Sequence, residues 1–324
     1  MEKVTIIIPV YNAEKTVSKC IDSILNQTNK NYQVLLINDG SKDNSLKVIK
    51  EYEKKYPKQI KVISKENEGV VATRNLGIEL CNTKYIMFID NDDYIDKDYV
   101  DKFLSAIVER KDKMVLGGYR RTTKDKILCE VTPQNDLWSK YRIITPWARI
   151  YDCDFLKKEK IKYKPISIGE DIYFNMSLYA KTDNISSIPY IGYNWFYNTE
   201  SVSNTTHKGL NKVVSLIELL NEVKKINKKK NEDPLIQYFY YKQVVWYLLY
   251  SGRKATKEEF LQEYQNLNNW LKENNIKLRL PFTSTKIKSE TIKTKLIISI
   301  FHWIEKLHLM KLFASVYCGG DKNV

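Results

Sequence analysis

The chain has 324 residues, 43% of them hydrophobic and 12% aromatic, so it can build a packed core and is not disordered throughout. Its five cysteines are scattered and never spaced as C-x-x-C, which argues against a disulfide framework and a thiolate zinc site and favours a reducing, cytoplasmic setting. The net charge is +14, and residues 208–324 hold 21 basic and 11 acidic residues. This distribution predicts an anionic partner for the C-terminal region alone.

Strands and helices alternate over the first 110 residues. Short apolar runs predict strands at Val4–Val10, Tyr32–Ile37, Ile60–Ile63 and Tyr85–Ile89, and helical spacing of apolar residues predicts helices near residues 17–25, 46–52, 70–80 and 99–108. This alternation predicts β-α-β units and an α/β fold with a mainly parallel sheet. The chain begins directly with a strand and has no run of 18 uncharged apolar residues, so we expect neither a signal peptide nor a membrane-spanning helix.

The pattern changes twice after residue 110. It is irregular to about residue 207, with short strands and turns, and it is helical from residue 208 onwards. We expect helices over 210–223, 238–250 and 286–317, with a linker over 274–284. The sequence therefore predicts an α/β domain over 1–207 and a basic helical region over 208–324.

Acidic side chains follow two of the predicted strands. Asp39 comes after the second strand, and Asp90-Asn91-Asp92-Asp93 ends the fourth. Because the carboxyl ends of parallel strands meet at one edge of a sheet, both groups are expected in one ligand-binding crevice. Mg²⁺ or Mn²⁺ would relieve the repulsion between the clustered carboxylates and bind substrate phosphates. The alternative is a solvated turn that caps the next helix; the neighbouring Asp39 favours the metal.

Asp39 and two further residues are expected at this crevice, each with an alternative role. Asp39 suits a base or ribose, or is a turn residue before Gly40. Tyr11 ends the first strand and either stacks on a base or belongs to the core. Arg74 lies near a helix start and suits a phosphate or ribose, or forms a surface ion pair.

Two candidates lie later in the chain. Glu170-Asp171 precedes a predicted helix and is either a helix cap or a general base for a sugar hydroxyl, which the spacing alone does not decide. His207 ends the α/β region and is a candidate ligand for a metal or a phosphate.

Glycine-rich phosphate loops are missing from the sequence, since neither G-x-x-x-x-G-K-[ST] nor G-x-G-x-x-G occurs. An EF-hand is also excluded at the acidic run, because the required glycine and the distant glutamate are absent. Nucleotide binding is therefore expected to use a metal ion.

Five motifs occur in a fixed order: TIIIPVYNAEKTVSKCIDSILNQT, VLLINDGSKDNS, NEGVVATRNLGI, YIMFIDNDDYI and GEDIYF. In this order they resemble the family 2 glycosyltransferases of GT-A fold, over roughly residues 1–205. The resemblance implies an inverting enzyme that uses a nucleotide-diphosphate sugar with Mn²⁺ or Mg²⁺. It does not extend to the C-terminal region.

The resemblance also implies a role for each matched residue. The donor nucleotide would be bound by Pro9, Val10, Tyr11, Asn12, Asp39, Asn67, Arg74, Asp90 and Asn91. Asp92 would be the direct metal ligand, with Asp90 beside it, and His207 is the further candidate. Asp171 would be the catalytic base, with Glu170 as the alternative, and Trp147–Tyr151 resembles the segment that shapes the acceptor side.

We expect the enzyme to transfer a sugar from a UDP-sugar to a hydroxyl of a growing surface polysaccharide or lipid-linked glycan. The donor would bind within residues 1–110 and the acceptor within about 110–207. A metal-dependent nucleotidyltransferase is a competing class, but it usually has a glycine-rich loop where this chain has PVYNAE. A glycan- or nucleic-acid-binding module is another, but the C-terminal region lacks alternating basic and aromatic loops, and no nucleic acid is expected as partner.

The last predicted helix combines apolar and basic residues. Residues 296–317 are apolar nearly all round yet include Glu305, Lys306 and Lys311, and four more lysines lie within 286–295. This pattern suits a helix at the interface of an anionic bilayer, at the inner face of the cell membrane. The alternatives are a helix packed on its own domain and a contact in a homo-oligomer.

Overall fold

The computed structural model describes residues 2–134, 136–197, 210, 215–228 and 230–318, in two compact units. The first unit consists of Met1–Asn135, Ile143–Pro165 and Glu170–Asn198, and the second of Asp136–Arg142, Ile166–Gly169 and Thr199–Val324. The boundary predicted at residue 207 lies outside the described residues and stays a prediction. Nothing in the sequence pattern predicts that two short earlier segments belong to the second unit.

A nine-stranded sheet forms the centre of the first unit. Its strands are β1 Val4–Val10, β2 Tyr32–Asp39, β3 Ile60–Lys65, β4 Tyr85–Phe88, β5 Tyr94–Ile95, β6 Met114–Thr122, β7 Ile127–Val131, β8 Arg149–Asp152 and β9 Ile185–Phe196. They lie in the order β3-β2-β1-β4-β8-β6-β9-β5, and β7 pairs with β6. The first four strands pair in parallel, as β6 and β9 do, while β8, β5 and β7 make antiparallel pairs. The predicted α/β class is confirmed.

Seven helices precede residue 182 in the described part of the chain. They are α1 Val17–Leu25, α2 Ser45–Lys55, α3 Val70–Leu80, α4 Tyr99–Arg110, α5 Ser139–Arg142, α6 Cys153–Lys158 and α7 Glu170–Lys181, with α5 in the second unit. The helices predicted at 17–25 and 70–80 have the predicted bounds. Every residue of β1 is buried, as expected for a parallel strand covered on both faces.

The prediction of irregular structure over 110–207 was wrong for much of this region, since β6 has 9 residues and β9 has 12. Apolar alternation is broken in both strands. Gly118 lies where β6 shifts its register against β9, and a Cβ there would meet the carbonyl oxygen of Val131 at 2.4 Å. Such irregular strands pair across long stretches of sequence, so local periodicity does not reveal them.

The second unit is helical, with α8 Leu216–Ile226, α9 Pro234–Ser251, α10 Lys257–Glu273, α11 Ile292–Lys306 and α12 Met310–Tyr317. The single helix predicted over 286–317 was wrong. Thr291 caps the start of α11, and His308, at a φ of 57°, separates α11 from α12. None of the helices in the described ranges is long and apolar enough to cross a membrane.

A buried ion pair lies in the core of the second unit. Lys242 of α9 and Glu290 are 8% and 5% exposed, and their charged groups are 2.5 Å apart. Trp138 donates a hydrogen bond of 3.0 Å from its indole nitrogen to the same carboxylate. Burial opposes the charge of Glu290, but Lys242 outweighs this effect and lowers the pKa of Glu290.

Candidate active site

Parallel pairing brings the carboxyl ends of four strands to one edge of the sheet. Val10 of β1 is paired with Asn38 of β2, and Asp39 is paired with Lys65 of β3. β4 pairs with β1 on the other side, and its chain continues directly into the acidic loop, residues 90–93. The loops after these strands therefore surround one crevice.

The end of β1 is held to the acidic loop by Asn91, whose side-chain amide donates to the carbonyl of Pro9 at 2.8 Å. Val10 is fully buried. Tyr11 is 44% exposed, so it is not a core residue. Asn12 has a φ of 47°, and its side-chain oxygen accepts the Lys42 N–H at 2.8 Å. The exposed Tyr11 ring suits stacking on a base.

Asp39 is 3% exposed and organises the loop after β3. Its carboxylate accepts backbone N–H bonds of 3.0 Å from Glu68 and 2.9 Å from Gly69, and its carbonyl accepts the Asn67 amide at 2.9 Å. The Lys65 ammonium also bonds to it. Burial opposes ionisation, but Lys65 and the two N–H groups outweigh it and lower the pKa of Asp39. Asp39 and Asn67 thus shape the crevice wall.

Hydrogen bonds from residues of β9 hold the acidic loop in place. Asp93 is 1% exposed; its carboxylate accepts the Tyr193 hydroxyl at 2.5 Å and the Phe196 N–H at 2.8 Å. The Asp90 N–H donates to the Tyr193 oxygen at 3.2 Å. Burial, and then the charges of Asp90 and Asp92, raise the pKa of Asp93 well above its ordinary value. Asp93 is therefore an anchor of the loop, and no sequence motif pointed to Tyr193.

Arg74 of α3 joins the acidic loop to the start of α7. It is 4% exposed and donates to Asp90 Oδ1 at 2.9 Å and to Asp171 Oδ1 at 2.7 Å, with Glu170 Oε1 at 3.7 Å. Burial opposes the charge of Arg74, but the surrounding carboxylates outweigh it and raise the pKa of Arg74. The sequence suggested either a phosphate or ribose contact or a surface ion pair for Arg74. An ion pair is present, but it is buried, and it joins Asp90 to Asp171.

Asp171 lies in the first turn of α7 with Glu170. Burial, reinforced by Glu170 and Asp90, outweighs the attraction of Arg74 and raises the pKa of Asp171 to about 7. Asn175, one turn later, donates to the Asp171 carbonyl at 3.0 Å and accepts the Tyr151 hydroxyl at 3.1 Å. A carboxyl group that ionises near neutral pH is suited to general base catalysis.

The acidic loop offers carboxylate oxygens to a divalent cation. Asp90 uses only Oδ1 for Arg74, and Oδ2 has no bond to another described residue. Asp92 is half-buried in the same loop, and His207 lies outside the described residues. Among the described residues no three His, Cys, Asp or Glu side chains form a metal-holding group. The donors present therefore fit Mg²⁺ or Mn²⁺ only if donor phosphates complete the ligand set.

Comparison with known proteins identifies the family. Residues 5–202, more than half of the chain, match the profile of glycosyl transferase family 2. Glycosyltransferase GlyA of Streptococcus pneumoniae is 30% identical over 204 residues, 57% of this chain and 29% of that protein. Poly(ribitol-phosphate) beta-glucosyltransferase of Bacillus spizizenii is 32% identical over 193 residues, 57% of this chain and 30% of that protein. The chain thus matches under a third of the length of these relatives.

A solved structure has a similar fold over most of the chain. The crystal structure of S. aureus TarS 1–349 in complex with UDP has a TM-score of 0.60 and 18% identity, and the match covers 94% of this chain and 91% of that one. With the match to residues 5–202, this agrees with the predicted fold and family. The chain belongs to glycosyl transferase family 2.

Proposed function

We propose that this chain transfers a sugar from a UDP-sugar, with inversion, to a hydroxyl of a cell-surface polysaccharide or lipid-linked glycan. The observation that carries the proposal is the Arg74 guanidinium, which binds Asp90 of the acidic loop and Asp171 at once. Arg74 therefore binds both Asp90, which we assign to the metal and diphosphate of the donor, and Asp171, which we assign as the base for the acceptor. The named functions of the relatives and the UDP in the TarS crystal support the choice of donor and acceptor class.

In the proposed reaction Asp171 accepts the proton of the acceptor hydroxyl. The hydroxyl oxygen attacks the anomeric carbon as the bond to the diphosphate breaks, and attack from the opposite face inverts that carbon. Arg74 keeps the Asp171 carboxylate oriented through the 2.7 Å hydrogen bond. Mg²⁺ or Mn²⁺ held by Asp92 and Asp90 would neutralise charge on the leaving diphosphate. Base assistance contributes about 10²–10⁴-fold to such reactions.

In this proposal the donor nucleotide lies along the strand ends. The exposed ring of Tyr11 stacks on the base, and Asn12 follows it in the same turn. Asp39 sets the position of the loop that contains Asn67. Gly40 allows that loop to approach, since a Cβ there would lie 2.7 Å from the Asn67 nitrogen.

The proposal is tested by UDP release and thermal shift with a panel of UDP-sugars, with and without Mn²⁺. One UDP-sugar is expected to raise the Tm in the presence of Mn²⁺, because the free energy by which a ligand stabilises the folded state increases with the logarithm of its concentration over its Kd. Asp92→Asn should lose both this shift and turnover. The matched control Asp125→Asn removes a carboxylate from the exposed turn before β7 and should retain both. A folded Asp92→Asn protein with full turnover contradicts the assignment.

We also propose that α11 and α12 rest on an anionic membrane surface. Their outward apolar side chains are strongly exposed, among them Ile300 at 57%, Trp303 at 57%, Leu312 at 63% and Val316 at 82%. An apolar groove of about 490 Å³ lies between these helices and α9. Arg253 and Lys293 line it, so charge complementarity favours anionic lipid.

Flotation with liposomes tests this contact. The chain should float with vesicles containing about 30% phosphatidylglycerol and remain in solution with pure phosphatidylcholine, because apolar insertion and charge act together. Replacing Ile300 and Val316 by Ser should abolish flotation without loss of helicity. Equal flotation of the double variant would contradict the contact through these side chains. A dimer in sedimentation that the two substitutions dissociate would replace the membrane by a second copy of the chain.

A further inference from the structure

One face of the sheet next to the acidic loop is aromatic. Tyr119 of β6 is paired with Tyr193 of β9, and Arg121 is paired with Trp195. Since side chains alternate along a strand, positions 119 and 121 share a face with positions 193, 195 and 197. Trp147 stacks on Tyr193 with ring centroids 4.5 Å apart. We call Tyr119, Trp147, Tyr193, Trp195 and Tyr197 the aromatic face.

The aromatic face runs from the acidic loop to solvent. Tyr193, which fastens Asp93, is fully buried and Trp147 is 5% exposed. Trp195 is half-buried, with its ring 5.9 Å from that of Trp147, and Tyr197 is 39% exposed. A ligand on the outer part of this face would therefore lie next to the proposed reaction centre and outside it.

Arg121 lies on this face, and its guanidinium N–H groups have no hydrogen-bond acceptor among the described residues. Its guanidinium carbon is 4.2 Å from the ring centroid of Trp195 and 4.8 Å from that of Tyr197. It makes no hydrogen bond or ion pair with any described residue, and its Nε is buried without a partner. The adjacent Arg120, on the opposite face, pairs with Asp96 at 2.9 Å and Glu130 at 3.3 Å. Two rings thus contact the guanidinium of Arg121, and none of its N–H groups is bonded to a described residue.

We propose that the aromatic face and Arg121 form an acceptor subsite for a carbohydrate unit that bears an anionic group, a phosphodiester or a carboxylate. The rings of Trp195 and Tyr197 contact the apolar face of a sugar or polyol, and the guanidinium binds the anion with paired N–H donors. This subsite deepens the proposed function, on which it rests, because it selects the substrate that presents its hydroxyl to Asp171.

In this proposal Arg121 binds a neighbouring unit of the acceptor. Contacts connect it to the acidic loop through Trp195, Trp147 and Tyr193. The N–H of Phe196, which follows Trp195, also donates to Asp93, so a group bound at Arg121 would lie beside the acidic loop. A polymer with a charge in each repeating unit would place one charge at Arg121.

Calorimetric titration of the full chain tests the subsite with three defined probes. A short ribitol-phosphate oligomer carries phosphodiesters, a hyaluronan hexasaccharide carries carboxylates, and maltohexaose is neutral. Arg121→Gln is expected to weaken binding of the preferred anionic probe about tenfold or more, and Arg121→Lys by less, since a charged hydrogen bond is lost in the first and partly kept in the second. Maltohexaose binding should not change.

The control Lys47→Gln removes one positive charge from the exposed face of α2 and should leave all three affinities unchanged. Equal weakening by Lys47→Gln and Arg121→Gln, or no binding of either anionic probe to the parent chain, overturns the subsite. Binding of a UDP-sugar with Mn²⁺ to the parent chain, measured as the rise in Tm, separates this result from the proposed function. Its absence in the parent chain contradicts the proposed donor, whereas its presence together with weaker anion binding by Arg121→Gln supports the subsite.

Discussion

Arg74 donates a hydrogen bond of 2.7 Å to Asp171, 97 positions later in the chain. The same guanidinium donates to Asp90 at 2.9 Å. The carboxylate proposed to act as base and one proposed to hold the metal therefore share a cation. A change in any one of the three alters the charge environment of the other two.

Matched substitutions of Asp171 and Glu170 distinguish which of the two carboxylates is the catalytic base. Asp171→Asn should lower kcat by about 10²–10⁴-fold, because the amide cannot accept the acceptor proton. Glu170→Gln should cost far less, because Glu170 lies 3.7 Å from Arg74 and Asp171 forms the closer pair. UDP release under saturating donor and acceptor measures both. The reverse order of effects would make Glu170 the base.

The pH dependence of kcat/KM follows from the ionisation of Asp171. Burial raises the pKa of this group to about 7, and only the ionised form can take a proton. Activity should therefore increase about tenfold per pH unit below this value and level off above it. Measuring kcat/KM at constant ionic strength from about pH 5.5 to about pH 8.5 would show this increase and the plateau. A flat profile would exclude Asp171 as a titrating base.

Replacing Arg74 by Lys keeps the positive charge but removes the planar guanidinium group, which donates to two carboxylates at once. Lys cannot hold both Asp90 and Asp171 in fixed directions, so kcat should decrease by about 10–100-fold with a smaller change in donor KM. Arg110→Lys is the control, since Arg110 bonds to Ser186 and the Ser187 carbonyl at an exposed site. Near-normal kcat in a folded Arg74→Lys enzyme would show that the charge alone is sufficient.

The buried pair in the second unit makes a stability prediction. Glu290→Ala leaves the Lys242 charge buried and unpaired and should cost about 3–5 kcal/mol in free energy of unfolding. The double change Glu290→Leu with Lys242→Met should cost less, about 1–3 kcal/mol, because no charge is left buried without its partner and the Trp138 and Thr291 N–H groups are what loses an acceptor. Urea unfolding at neutral pH measures both variants. A double variant that is less stable than Glu290→Ala would contradict this prediction.

This pair also has a predictable pH dependence. The pKa of Glu290 is lowered in the folded protein, so its contribution to stability is complete above the ordinary pKa of glutamate. The contribution is lost as the pH falls through the folded value. The difference in Tm between the parent chain and the double variant should therefore shrink on acidification.

The strands and helices of residues 1–110 could be predicted from the sequence because their signals are local. The helix over Val70–Leu80 and the strand that ends at Phe88 follow from short-range periodicity. The parallel arrangement then places Asp39 and the acidic loop at one edge without further information. That Asp171 and Arg74 meet in one ion pair depends on packing between distant segments.

Other parts of the structure have sequence patterns that are weak or that were not used in the prediction. Tyr193 and Arg121 lie on strands with irregular apolar patterns, so neither stood out as a site residue. The capping box of Thr256 and Glu259 was a local signal for α10 that the sequence analysis did not use. The break at His308 has no glycine or proline to mark it.

The bond between Tyr193 and the acidic loop has a consequence for engineering. Tyr193, which donates to Asp93, comes 100 positions later in the chain, from β9. A chimaera that exchanges residues 110–207 between relatives would also exchange this tyrosine. Such grafts should preserve Tyr193 and a backbone N–H donor at position 196, or the acidic loop will lose the hydrogen bonds that hold Asp93.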